Sequence, residues 1–131
     1  MKSILVLVVL LASISSHFAF SGEETLSAFY EIAKENCDDI TCIRREMDRI
    51  NNEILILLTE RTAYVRRAGD LKSRTIKVAD DRQRVGDQEK KIIDKSIELE
   101  LPIEISVPTF RVLMETSIKF QQGHINQLTT Q

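Results

Sequence analysis

The chain has no tryptophan, two tyrosines and five phenylalanines in 131 residues, so aliphatic side chains must supply most of its core. Glycine (four) and proline (two) are also scarce. No stretch of useful length alternates apolar and polar residues, and there is no internal repeat or low-complexity linker. These absences argue against a sheet protein and leave helices. The formal net charge of −2 lacks the basic excess of a general nucleic-acid binder. There is no Asn-x-Ser/Thr acceptor site. The only cysteines, Cys37 and Cys42, have the wrong spacing for a zinc site, and neither His17 nor His124 completes one. What is present is 43% hydrophobic residues, too many for a disordered chain.

The first 21 residues read as a secretory signal. Lys2 supplies the positive end, and "ILVLVVLLA" (Ile4 to Ala12) is an apolar run too short to span a bilayer. "AFS" (Ala19 to Ser21) places small residues at the −3 and −1 positions of a cut before Gly22. No later stretch is apolar enough to cross a membrane. The expected product is a secreted or periplasmic domain over 22–131, with no membrane association once the signal is removed. Cysteine usage agrees with export. In one continuous helix the Cys37 and Cys42 Cα atoms would lie roughly 8 Å apart, beyond disulfide reach. A bend at "DDI" would allow a local disulfide, which is the favoured reading; interchain bridges or free thiols are the alternatives.

A short amphipathic helix is predicted from Glu23 to about Lys34, with Leu26, Phe29, Tyr30 and Ala33 inward. Capped by Asp38 or Asp39, a long helix should follow and end near Arg74. Its inward positions are Ile43, Met47, Ile50, Ile54, Leu57, Leu58, Val65, Ala68 and Leu71. A rod of about 45 Å is long for this domain, so a partner chain is expected to cover it. A second helix should run from Asp80 or Asp81 to about Glu100 and bury Val85, Ile92, Ile93 and Ile97. "LPIEIS" (Leu101 to Ser106) reads as a connector. Ser106 then caps a third helix with Pro108 in its first turn, burying Phe110, Leu113, Met114, Ile118 and Ile125. The fold class is all-α: three main helices, one of them very long and first of the three, in an intertwined homodimer.

Polar residues fall where this pattern expects a core. Arg61 and Lys72 are 11 residues apart, which returns them to within about 20° of one helix face. Their neighbours on that side, Tyr64, Val65, Ala68 and Leu71, are largely apolar. Arg44 precedes Arg61 by 17 residues, about 25 Å along a straight helix. Asp81 and Arg84 stand three apart, and Ser117 and Gln121 four apart. Each feature alone has an ordinary explanation: a solvated cation, an N-cap with a local ion pair, or a hydroxyl bonded to its own helix. Together they describe several cations beside an apolar interior, which a small polyanion would compensate. Arg44 and Arg61 of one helix cannot grip the same small ligand, but antiparallel pairing of two chains would bring Arg44 of one towards Arg61 of the other.

These residues resemble the all-helical (type II) chorismate mutases. The resemblance runs from Ile43 to about Gln122. "IRREMDRINNEILILLTER" looks like that family's first-helix signature, with Arg44 heading the helix and Arg61 closing an L-x-E-R end. Lys72, then Asp81 and Arg84, then Ser117 and Gln121 within "METSIKFQQ", follow in the family's order. The resemblance implies rearrangement of chorismate to prephenate without cofactor or metal. It implies that Arg44 of the partner, Arg61 and Arg84 bind the substrate carboxylates. Lys72 and Gln121 would be the catalytic donors to the ether oxygen, with Asp81 and Ser117 at the ring hydroxyl and carboxylate region. One departure stands out. Where the family has a glutamate after the second-helix arginine, this chain has Val85. An isochorismate-pyruvate lyase, or a non-catalytic secreted helical interaction protein, is therefore the alternative expectation.

Overall fold

A computed structural model describes residues 24–75 and 78–130. They form four helices and no strand: α1 (Leu26–Asn36), α2 (Ile40–Lys72), α3 (Arg82–Glu98) and α4 (Ile103–Thr129). The chain is all-α. The predicted signal, residues 1–21, lies outside the described residues. No helix among the described residues is long and apolar enough to cross a membrane.

Side-chain oxygens set three helix starts. Thr25, Asp39 and Asp81 accept from the amides of Ala28 (3.3 Å), Cys42 (2.8 Å) and Arg84 (3.1 Å), each satisfying an amide that has no partner in its own helix. The break between α1 and α2 carries a disulfide from Cys37 to Cys42, with Cα atoms 5.4 Å apart. α3 ends on paired reverse bonds, Leu101 N–H to Ser96 C=O (2.9 Å) and Glu100 N–H to Ile97 C=O (3.1 Å). The residue that turns the corner is Glu100 at φ 56°, where glycine is usual; a side chain in that region costs about 1 kcal/mol.

The fourth helix starts earlier than the sequence pattern predicts. Its N-cap is Pro102 rather than Ser106, and "LPIEIS" is mostly helix rather than connector. Ser106 is instead buried, its hydroxyl 2.7 Å from that of buried Ser96, which joins α3 to α4. Pro108 sits inside the helix and leaves the Glu104 carbonyl without its usual amide donor.

α4 packs against both α2 and α3. The buried apolar residues among those described are only Ala79, Met114 and Ile125. Several expected core positions are exposed. In α1 these are Leu26, Phe29 and Tyr30, a face that nothing among the described residues covers. In α2 they are Met47, Ile50, Ile54, Leu57 and Leu71; Gly69 is the only buried residue of that helix. Ile97 is exposed because it lies about 100° around α3 from buried Ser96. Phe110 is exposed at the margin of α4. Helical periodicity reports which face is apolar, whereas the exposure shows how little of that face the described residues cover.

Candidate functional site

The C-terminal half of α2, the start of α3 and the middle of α4 enclose a cavity of about 350 Å³. That volume suits a small metabolite. α2 contributes Arg61, Tyr64, Val65, Ala68 and Lys72, at the spacing that keeps one helix face towards one neighbour. α4 contributes Met114, Ser117, Ile118 and Gln121. Asp81, Arg84, Val85 and Gln88 enter from α3 and its cap, and Ala79 from the segment before it.

The polar groups are fixed by one another. An Arg61 Nη1–H donates to Ser117 Oγ at 2.6 Å, and the Ser117 hydroxyl donates to its own helix at Leu113 C=O, also 2.6 Å. Lys72 Nζ donates to Gln121 Oε1 and to Ala79 C=O, both at 3.2 Å. Gln121 is buried, and its Nε2 donates to Val65 C=O at 2.8 Å. That carbonyl can only accept and the ammonium can only donate, so the amide orientation is determined. One Gln121 N–H is left over. Ala79 N–H in turn donates to Gln122 Oε1 (3.3 Å), tying the segment before α3 to α4.

Charge in the cavity is one-sided. Arg61, Lys72 and Arg84 line it, and none of them pairs with a carboxylate among the described residues. Asp81 is the one lining carboxylate, and it accepts from the Arg84 amide as an N-cap. Two acids beside the cavity are engaged elsewhere. Arg82 binds Asp80 at 2.6 Å and Glu115 at 2.6 Å, and these carboxylates, Glu115 foremost, hold its guanidinium above the ordinary arginine range. Arg61 and Lys72 are half-buried and Arg84 is exposed at the rim; half-buried cations without a counter-ion repel one another, and an anionic ligand relieves that repulsion.

Six of the seven binding residues predicted from sequence line this cavity. The seventh, Arg44, does not. It is exposed near the start of α2, about 25 Å along the helix from Arg61. Tyr64 and Gln88 line the cavity without having been singled out by sequence. The signal for Gln88 was its i+4 spacing from Arg84; Tyr64 carried none beyond its helix face. Behind the cavity, His124 Nε2 lies 2.6 Å from Asp70 Oδ1. Hydrogen bonding from His124, helped by Arg67, holds the Asp70 carboxyl below its usual range. Among the described residues no group of three or more His, Cys, Asp or Glu side chains is placed to hold a metal ion.

Residues 43–122 match a protein-family model described as chorismate mutase type II. No match to the chain was found among curated proteins or among solved structures.

Proposed function

This chain belongs to the type II chorismate mutases and is an isomerase of that type, and on that premise we propose that it is an exported homodimeric enzyme converting chorismate to prephenate. The observation that carries the reading is the cavity in which Arg61, Lys72 and Gln121 converge with no carboxylate paired to either cation among the described residues.

The chemistry needs no nucleophile. Chorismate is a dianion that must be folded into a chair so that one C–O bond breaks as a C–C bond forms. Arg61 and Arg84 take its carboxylates, since guanidinium groups bind them in bidentate fashion. Holding both carboxylates selects the compact conformer, which is an orientation effect. Negative charge then grows on the ether oxygen. Lys72 Nζ and the remaining Gln121 N–H donate to it, more strongly in the transition state than in the ground state. Ser117 holds Arg61, and Asp81 or Gln88 offers an acceptor to the ring hydroxyl in place of the carboxylate that Val85 lacks.

Arg44 comes from a second copy. Support for a dimer is the apolar stripe of Met47, Ile50, Ile54 and Leu57, which the described residues leave open. Antiparallel pairing along that stripe carries each Arg44 towards the partner's cavity. Support for export is the leader at residues 1–21 with its Ala-x-Ser cut. Amino-terminal sequencing of the secreted or periplasmic product should begin at Gly22.

Val85 favours a second reading, lyase action on isochorismate, whose hydroxyl sits elsewhere on the ring. Purified mature protein incubated separately with each compound separates the readings. Prephenate from chorismate supports the mutase. Salicylate plus pyruvate from isochorismate supports the lyase. Turnover of neither leaves a helical interaction protein and overturns both.

A further inference from the structure

The part of α2 that carries Arg44 receives little support from the described residues. Among them Ile40, Met47, Ile50 and Ile54 are all exposed, and the side-chain bonds joining α2 to α4 begin at Arg61. Arg44 is the fifth residue of α2. The first turn of a helix lacks internal partners for its amides and frays unless it is tied down.

Here it is tied down twice. Asp39 caps the Cys42 amide, and the Cys37–Cys42 disulfide fastens that same turn to the end of α1. The far end of α1 is anchored as well. Leu26 N–H donates to Leu99 C=O at 2.9 Å, and Ser27 N–H to the Glu100 carboxylate at 3.1 Å. α1 is therefore a strut running from the α3–α4 corner to the start of α2, and the disulfide is its joint. An Arg45 Nη2–H rests on Cys42 Sγ at 3.3 Å, so the joint is packed against the residue next to Arg44.

We infer that the Cys37–Cys42 disulfide is a positioning device for substrate binding: it holds the first turn of α2 so that Arg44 meets a substrate carboxylate in the partner's cavity. The inference rests on the reading that Arg44 completes that cavity. Cys37 and Cys42 touch no substrate; they act through Arg44. With the bridge open, Arg44 samples more positions and holds the carboxylate less well in ground state and transition state alike. Such a loss raises KM and spares kcat. A displacement of about 1 Å in a clamp of this kind is enough for a large effect, and we expect KM to rise on the order of 10-fold with kcat within about twofold.

The test measures steady-state kinetics with chorismate on the whole mature protein, oxidised and after reduction with dithiothreitol, with both thiols titrated. The doubly substituted Cys37→Ser, Cys42→Ser chain gives the same comparison without reductant. Both are repeated with Arg44→Ala. Helicity by circular dichroism and mass by sedimentation accompany each sample. The expected result is a higher KM after reduction, with helicity and dimer intact and no further rise where Arg44 is already alanine. An unchanged KM with both thiols free overturns the inference. So does an equal rise in the Arg44→Ala chain, or loss of helicity or dimer on reduction, since the bridge would then be a global support. If Arg44→Ala alone leaves KM unchanged, the two-chain site itself fails, and that outcome is read separately from the disulfide arms.

Discussion

Arg61 on α2 donates a 2.6 Å hydrogen bond to Ser117 on α4, joining residues 56 positions apart in sequence. The serine hydroxyl holds the guanidinium without neutralising it. This is the difference between an arginine that stabilises a fold and one kept ready for an anion. Arg49, Arg82 and Arg111 each have a carboxylate partner, and Arg61 has none among the described residues.

Arg61→Ala should remove most of the turnover of chorismate, lowering kcat/KM by about 100-fold or more, the cost of a lost charged contact to a bound anion. Helix content should not change, because Arg61 gives the fold one hydroxyl contact. Near-normal activity would remove Arg61 from the site. Arg61→Lys should recover only part of the loss, since a lysine cannot form the bidentate pair.

Val85→Glu tests the missing acceptor. If the ring hydroxyl lacks a strong partner, the new carboxylate should raise turnover of chorismate by about 10-fold, within the roughly 1–3 kcal/mol that an unmet buried polar group costs. No gain would show that Asp81 or Gln88 already serves.

Gly69→Ala should destabilise the protein. An added Cβ would lie 3.0 Å from His124 Cδ2 and 3.4 Å from Gln121 Cγ. The His124 ring is held by Asp70 and cannot easily retreat. Overpacking of about 1–3 kcal/mol outweighs the roughly 1 kcal/mol that alanine gains in a helix. Calorimetry should show a Tm lower by a few degrees, and turnover should fall as Gln121 is pushed.

Acid should weaken the fold through two named carboxylates. Hydrogen bonding from His124 lowers Asp70, and hydrogen bonding from Ser27 lowers Glu100, from ordinary values of 3.8 and 4.5. A carboxylate whose folded pKa is depressed stabilises the fold above its unfolded value and loses that contribution as pH falls through the folded one. Tm should therefore be steady above about pH 5 and drop below it. Asp70→Asn and Glu100→Gln should each flatten the acid limb; an unchanged limb in both would contradict the assignment.

The sequence made the helices legible because their signals are local. Asp39 and Asp81 are each one of the two adjacent aspartates at which the pattern starts a helix, and Arg61 and Lys72, 11 residues apart, line one cavity. Other features depend on contacts distant in sequence. Ser106 looked like a cap because a serine before a proline usually is one; its pairing with Ser96 needs the α3–α4 corner, which turns on a glutamate at positive φ. Phe29 and Ile54 read as core because periodicity marks an apolar face without saying what covers it. The cavity residues were legible as an ordered set, while Gln88 and Tyr64, which stand on the same faces, carried no distinguishing charge.

Mixing two impaired variants at sub-saturating chorismate tests the shared site most directly. Arg44→Ala and Arg61→Ala protomers, unfolded together and refolded, should form mixed dimers in which one cavity has lost both arginines and the other is intact. Random pairing makes half the dimers mixed, so activity should return to about a quarter of the wild-type rate. A mixture no more active than its parents, or an Arg44→Ala protein as active as wild type, would contradict a site built from two chains.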